Sequence, residues 1–306
     1  MQKNQAVQRN GITEGVIWQQ LLLFFFPILF GTFFQQLYNT ADAMIVGKFV
    51  GKEALSAVGG TTGTLINLLV GFFVGLSSGA AVVVSQYYGA GQEEQVRKAV
   101  HTSFYLSICG GIFLMLIGEA FTPAAIDMMG VPEEIRAYSI SYMRIYFLGI
   151  IGNLLYNMGA AILRAVGDSK RPLYFLIACC LTNIALDLLF VIVLKMEVAG
   201  VAWATIISQL VSAVLVMVTL MRSKESFRFE LRYLRMDRLM LAKIIKIGLP
   251  AGIQSMMYSI SNILIQAAIN SLGPDAMAAS AAAFTIEINV YCFLNAFAQA
   301  TTTNVS

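Results

Sequence analysis

Three acidic residues are isolated within uncharged parts of the sequence. Asp42, Asp187 and Glu287 are each the only charged residue in a stretch long enough to cross a bilayer. A carboxylate at the centre of a membrane helix costs about 2.5–3.5 kcal/mol to insert, so such a residue usually faces a cavity, an ion or a polar partner. The pattern therefore predicts a path for an ion or a polar substrate through a membrane.

The spacing of polar residues predicts one polar layer shared by three helices. Asn183 and Asp187 are four residues apart and so lie on one face of a helix. Measured from the predicted outer ends of their spans, Asp42, Asp187 and Thr205 lie at depths that agree within about one helical turn. We therefore expect these side chains to meet in the outer half of the membrane.

The chemistry that this layer supports is cation exchange. Two carboxyl groups close together in a low-dielectric setting cannot easily ionise at the same time, so they titrate as a coupled pair. Asn183 and Thr205 supply neutral oxygen atoms that can bond a protonated acid or help to hold sodium. The alternative is that each polar residue only pins neighbouring helices together, and packing alone explains Thr205 equally well.

Two further residues in the predicted spans have two interpretations each. Glu287 lies near mid-membrane, with Gln266 as a possible partner on the preceding span, and either contacts substrate or packs between helices. Pro27 removes a backbone hydrogen bond and kinks the first span, so it is either a hinge or a static kink.

The composition identifies the class of protein. Of 306 residues 58% are hydrophobic and 12% are charged, with a mean hydropathy of +0.74, whereas soluble domains carry about 25% charged residues. The sequence therefore predicts an all-α polytopic membrane protein. The net charge of +3 has a topological explanation, so we predict no nucleic-acid partner, and one histidine with four cysteines in hydrophobic runs predicts no zinc site. The predicted spans are residues 18–46, 54–88, 99–121, 137–163, 172–194, 198–221, 247–272 and 276–306.

The basic residues predict the orientation. Four lie in one set of connections (Lys48, Lys52, Arg136 and Lys195), and Arg144 lies near a helix end. The other fifteen lie in the N-terminus and in residues 89–98, 164–171 and 222–246. The positive-inside rule therefore places the N-terminus in the cytoplasm. We interpret residues 222–246 as a cytoplasmic linker on an anionic membrane face; a calmodulin-type or lipid-binding basic helix is the alternative.

The sequence also contains an internal repeat. Residues 50–58 resemble residues 272–280 at an offset of 222, and Pro27 and Pro250 align at 223. Six predicted spans separate the copies, so the repeats run parallel, as in transporters that bind substrate between two halves. The second copy has two of the six spans expected, which predicts a fragment or truncated reading frame; a natural eight-span protein is the alternative.

Three motifs carry a resemblance to a known family. They are Leu37-Tyr-Asn-Thr-Ala-Asp-Ala-Met-Ile-Val-Gly47, Leu163-Arg-Ala-Val-Gly-Asp-Ser-Lys-Arg-Pro172 and Thr182-Asn-Ile-Ala-Leu-Asp187. Together they resemble the multidrug and toxic compound extrusion (MATE) family, most closely its DinF-like branch. The resemblance implies a twelve-helix fold in two six-helix lobes, and export of organic, often cationic, compounds in exchange for protons or sodium ions.

The resemblance also assigns roles to residues. It implies that Asp42, Asn183, Asp187 and Thr205 couple transport to the ion, and that no cofactor is needed apart from the transported H+ or Na+. The predicted substrate-cavity residues are Gln35, Tyr38, Asn39, Asn153, Asn157 and Glu287. The predicted partners are the lipid bilayer and small organic substrates, and the protein is predicted to be monomeric.

These observations lead to one principal hypothesis and several rivals. We predict a six-span N-lobe in residues 1–221, a linker in 222–246 and the start of a C-lobe in 247–306, in an antiporter of the bacterial inner membrane. A lipid-linked oligosaccharide flippase is the nearest rival, but it would need a more cationic cavity. The other rivals are a non-functional fragment, a membrane-embedded enzyme and a receptor. The enzyme alternative lacks support from a His-Glu-x-x-His motif, because the sequence contains none.

Overall fold

The fold is a bundle of long helices. The computed structural model describes residues 17–59, 61–270, 287 and 290–302. Residues 290–302 are helical. Within the described residues the α-helices are α1 (Ile17–Phe49), α2 (Lys52–Gly59), α3 (Thr61–Gly89), α4 (Glu93–Met128), α5 (Glu133–Ala165), α6 (Lys170–Asp187), α7 (Glu197–Arg222) and α8 (Arg238–Asn270).

The predicted membrane spans agree with these helices. Seven segments of the described chain are long and apolar enough to cross a bilayer, and they coincide with the first seven predicted spans. The all-α polytopic membrane fold is therefore confirmed. The eighth predicted span lies mainly outside the described residues, as do the N-terminus and the second copy of the repeat around residues 272–280.

One irregularity in the helices was not predicted. Directly after α6, Leu188–Val193 form a π-helical segment. Insertions of this kind are rare within helices and are frequent at functional sites. The turn that separates α1 from α2 contains Gly51, whose φ of 130° favours glycine.

Two hydrophobic clusters hold the bundle together. One contains Phe104 of α4, Ile162 of α5 and Leu220 of α7, and it extends to the start of α8. The other contains Val46 of α1 and Ile150 of α5, together with the first turns of α7. Because α5 contributes to both clusters, it is the central helix of the described bundle.

Glycines let α5 approach α7 closely. A Cβ atom added to Gly149 would overlap Ile206, and one added to Gly159 would lie within 3 Å of Val216. Small residues at such contacts replace the hydrophobic driving force that is missing between helices in lipid. This contact fixes the height of Thr205 on α7 relative to α5.

Glycines also bring α3 against α8. A Cβ atom on Gly75 or Gly79 would overlap the backbone of Gly252 or Gly248. The stretch Gly75-Leu-Ser-Ser-Gly79 has the Gly-x-Ser-x-Gly spacing of serine hydrolases. Here it lies inside a helix and Ser77 donates a hydrogen bond to its own helix at Phe73 O (3.0 Å), so this stretch packs helices instead of presenting a nucleophile.

The segment between α7 and α8 is fastened to α4. His101 bonds the backbone of Glu230 through Nε2 (3.1 Å) and stacks on Phe229, and the N–H of Asp237 donates to Thr102 Oγ1 (3.1 Å). The Asp237 carboxylate accepts the N–H of Met240 and caps α8, so α8 begins within the predicted linker 222–246. His101 is thus an interface residue between α4 and this segment. The division into two lobes stays a prediction.

Candidate functional site

The four predicted coupling residues come together in the structure. Asp42 from α1, Asn183 and Asp187 from α6 and Thr205 from α7 are all buried, with at most 6% of each residue exposed. Thr205 Oγ1 donates to Asp42 Oδ2 across a distance of 3.5 Å. Asn183 and Asp187 also lie within interaction range of the Asp42 carboxyl group. We call these four side chains the carboxyl cluster.

Most polar atoms of the carboxyl cluster lack a hydrogen-bond partner among the described residues. They are Asp42 Oδ1, both carboxyl oxygens of Asp187, and the amide oxygen and nitrogen of Asn183. Buried polar groups in folded proteins are nearly always paired, and a buried unpaired carboxylate is especially unfavourable. Among the described residues, the hydrogen-bonding and electrostatic neighbours of the Asp42 and Asp187 carboxyl groups include no basic side chain. The donor set therefore fits a proton or a sodium ion, which would offset the charge and complete the bonds.

Local structure explains why these residues meet. Asp187 is the last residue of α6, at the point where the π-helical segment begins, and α6 packs against both α1 and α7. The backbone carbonyl of Thr205 accepts a hydrogen bond from Ser208 Oγ (2.8 Å), within α7. The carboxyl cluster thus lies where α1, α6 and α7 converge, and one of its members lies at an irregular turn.

Two tyrosines near the carboxyl cluster were not predicted. Tyr142 on α5 is buried, close to Thr205 and within electrostatic range of both carboxyl groups. Tyr146, one turn further along, lies next to Gln209 of α7. In the sequence, a tyrosine within an apolar helix looks like a packing residue. Only the folded structure shows that Tyr142 and Tyr146 lie near the carboxyl cluster. Tyr38, predicted as a cavity residue, also lies near Asp42.

The other predicted cavity residues are more scattered. Gln35 and Asn39 are exposed on α1, and Asn39 donates to Gln36 on the same helix. Asn153 and Asn157 are half-buried on α5, and Asn157 Nδ2 donates to the Asn153 side chain at 2.9 Å. These bonds stay within single helices, so they do not join the two helices into one cavity wall.

Two remaining predictions have different outcomes. Glu287 is exposed, and the side chain of its proposed partner Gln266 lies outside the described residues. Pro27 lies inside α1, which continues through it. Two residues before Pro27, Phe25 of α1 stacks on Phe297 with ring centroids 4.1 Å apart. Helix α1 therefore contacts segment 290–302.

The comparison with protein families identifies the family of this chain. The sequence model described as MatE matches residues 27–189, more than half of the chain and including Asp42, Asn183 and Asp187. The chain belongs to the MatE family. The family prediction is thereby confirmed; the assignment to the DinF-like branch stays a prediction.

Known relatives of this MatE chain include proteins named for drug resistance. It is 33% identical over 270 residues to the probable multidrug resistance protein YoeA of Bacillus subtilis, covering 86% of this chain and 58% of the relative. The chain therefore spans less than two thirds of the length of this curated relative.

Solved transporters share the fold. A MOP superfamily transporter from Pyrococcus furiosus, whose title reports reversed polarity of its binding pocket, superposes with a TM-score of 0.89 at 25% identity. A multidrug resistance MATE transporter in the outward-facing conformation gives a TM-score of 0.90 at 24% identity. Each alignment covers 97% of this chain and 66% of the solved one.

Proposed function

We propose that this MatE chain works in cation-coupled export of organic compounds, with Asp42 and Asp187 as the groups that bind the coupling proton or sodium ion. The observation that carries the proposal is the meeting of two buried acids from separate helices, with unpartnered oxygen atoms and no basic neighbour among the described residues. A structural pin between helices would use paired polar groups, whereas an exchange site needs oxygen atoms that a cation can reach and leave.

The proposed mechanism is alternating access. When the carboxyl cluster is charged, its two negative groups repel each other and favour a looser arrangement of α1, α6 and α7. Binding of a proton or sodium ion removes that repulsion and favours closer packing. Each charge that crosses the membrane contributes about 2.3 kcal/mol per 100 mV, enough to shift two conformations separated by a few kcal/mol.

The relatives and the polar residues on α1 and α5 support organic compounds as the proposed substrates. The Bacillus subtilis relative is named as a multidrug resistance protein. Gln35, Asn39, Asn153 and Asn157 are uncharged, which suits organic molecules better than a pyrophosphate-linked oligosaccharide. We therefore prefer drug export to the flippase alternative. The proposed setting is the bacterial inner membrane, with the N-terminus cytoplasmic and the protein monomeric.

The test is ion-driven efflux from proteoliposomes that contain the full chain. A fluorescent organic cation is loaded, and a proton or a sodium gradient is imposed in separate runs. Asp42→Asn and Asp187→Asn each keep the shape of the side chain and remove its charge, so we expect gradient-driven efflux to fall to the level of empty liposomes.

Asp127→Asn is the matched control. Asp127 is exposed and pairs with Arg136 (2.7 Å), so the same chemical change there removes only a surface ion pair. We expect the control to transport at the wild-type rate. Efflux that persists unchanged in Asp42→Asn would refute the coupling role of Asp42. If the wild-type chain of 306 residues gives no efflux, the proposal that this chain transports by itself is refuted.

A further inference from the structure

A second site lies at the opposite end of the bundle from α2. A cavity of about 950 Å³ forms where the α5–α6 connection, the C-terminal end of α7 and the residues after α7 meet. It shares no lining residue with the carboxyl cluster. We call it the linker cavity. In the orientation predicted from the basic residues, it opens at the cytoplasmic edge of the membrane.

The charged residues of the linker cavity are mostly basic. They are Lys170, Arg171, Arg222 and Lys224, with Asp168 and Glu225. Asp168 is already occupied by Arg171, because its carboxylate lies 3.1 Å from the Arg171 guanidinium and also accepts the Arg171 backbone N–H. Lys170, Arg222 and Lys224 have no carboxylate within 4 Å among the described residues, so against the one further carboxylate of Glu225 they leave a net positive charge available to an anion.

The start of α6 also lies at the linker cavity, where the Asp168 carboxylate caps the Arg171 N–H (3.1 Å) and leaves the other N–H groups of the first turn available. Ser169 and Lys170, its N-cap and first residue, both line the linker cavity, and Ser169 makes no side-chain capping bond. Backbone N–H groups at a helix N-terminus carry partial positive charge and bind phosphate readily. The three basic side chains and this helix end therefore converge on one space.

Part of the remaining wall of the linker cavity is apolar, beside the polar Thr219 and Ser223. Leu23 and Phe24 of α1, Val218 of α7 and Phe227 of the following segment line it. Leu23 is 65% exposed on the side of α1 that would face the lipid chains of the membrane. A wall with a basic rim and an apolar side matches an amphiphile better than a small soluble ion.

We propose that the linker cavity binds the phosphate-bearing head group of an anionic phospholipid, with the upper part of the acyl chains against Leu23 and Phe24. Basic pockets between membrane helices on the cytoplasmic side bind such head groups, and a basic residue near the surface contributes about 1 kcal/mol. The volume suits a head group with part of its chains. A bound lipid would connect α1, α6, α7 and the segment after α7. This inference does not use the carboxyl cluster.

The experiment measures binding of fluorescent phosphatidylglycerol and phosphatidylcholine to the full chain in detergent. We expect wild-type protein to bind phosphatidylglycerol at least about tenfold more tightly. The variant Lys170→Gln/Arg222→Gln/Lys224→Gln should lose on the order of 100-fold in affinity for phosphatidylglycerol, at about 1 kcal/mol per charge. Single Lys224→Gln, at an exposed position, should lose about fivefold and guards against misfolding of the triple variant.

The matched control is Arg235→Gln/Arg238→Gln/Lys246→Gln. These three residues are exposed, lie on the same side of the bundle and do not line the linker cavity, and the control removes the same charge. We expect its affinity to stay near the wild-type value. Equal losses in both triple variants, or no preference for phosphatidylglycerol in wild type, would overturn the proposal. Competition by inorganic phosphate at millimolar concentration would overturn the lipid as ligand and assign the cavity to a soluble phosphate compound.

Discussion

At the scale of residues, the carboxyl cluster is distinguished by the small number of hydrogen bonds that its polar atoms make. Thr205 supplies one hydrogen bond to Asp42, and the Asp187 oxygens have no partner among the described residues. The cost of burying such groups persists in the folded protein only if another interaction offsets it. The proposed coupling cation provides that interaction, and Tyr142 lies near enough to take part.

Thr205 offers a test in which the volume of the side chain is conserved. Thr205→Val replaces the hydroxyl group with a methyl group and removes the donor to Asp42 Oδ2, whereas Thr205→Ser retains it. One neutral hydrogen bond contributes about 0.5–1.5 kcal/mol. We therefore expect the cation concentration for half-maximal efflux to change about two- to tenfold in Thr205→Val and to stay close to wild type in Thr205→Ser. The same change in both variants would assign Thr205 to packing.

At the scale of elements, several helices carry an interruption. Pro27 lies within α1 and Pro250 within α8, at positions that the internal repeat aligns. The π-helical segment follows α6 directly after Asp187. Interruptions leave backbone groups less tightly bonded, so they are the places where these helices bend at least cost.

Pro27→Ala tests whether α1 bends at Pro27 during efflux. Alanine restores an N–H that can donate to the carbonyl of Leu23 and removes the clash of the proline ring with it. We expect α1 to stiffen, so the efflux rate falls severalfold while the midpoint of thermal unfolding stays equal or rises. An unchanged efflux rate would show that efflux does not require bending at Pro27.

The glycine contact between α3 and α8 makes a prediction about stability. In Gly75→Ala the new methyl group would overlap the backbone of Gly252, so the helices must separate, at a cost of about 1–3 kcal/mol. Gly89→Ala, near the end of the same helix, meets no atom within 4 Å. We expect thermal unfolding in detergent to occur at lower temperature in the first variant only. Equal midpoints would contradict the close contact.

At the scale of the whole molecule, the alternation of charged connections defines two sides. The connection between α3 and α4, the α5–α6 connection and the segment after α7 are on one side, and the α6–α7 turn around Lys195 is on the other. Lys195 has a φ of 53°, consistent with a tight reversal of the chain. The linker cavity belongs to the first of these sides.

Cysteine labelling tests this orientation. In intact cells, Lys195→Cys should react with a membrane-impermeant maleimide, whereas Gln92→Cys should react only after permeabilisation, since the positive-inside rule puts residue 92 in the cytoplasm. The cysteines already present serve as a background measured in the unmodified chain. The reverse pattern would place the N-terminus outside and invalidate the inner edge assigned to the linker cavity.

Much of this architecture follows from local sequence. Long apolar runs predicted the spans, and equal depth predicted that Asp42, Asp187 and Thr205 would meet, because helical rise is uniform. The π-helical segment was not predictable, since Leu188–Val193 are ordinary apolar residues. The linker cavity and the position of Tyr142 were not predictable either, because both depend on which distant segments pack together.

The contact of α3 with α8 has a mechanical consequence. Where Gly75 and Gly79 face Gly252 and Gly248, the two backbones approach each other directly, and the Phe72 side chain packs over Gly252. Interdigitated leucine or valine side chains would have to disengage before one helix could slide along the other. At these four glycines no such disengagement is needed, so the contact resists sliding of α3 along α8 less than interlocked side chains would.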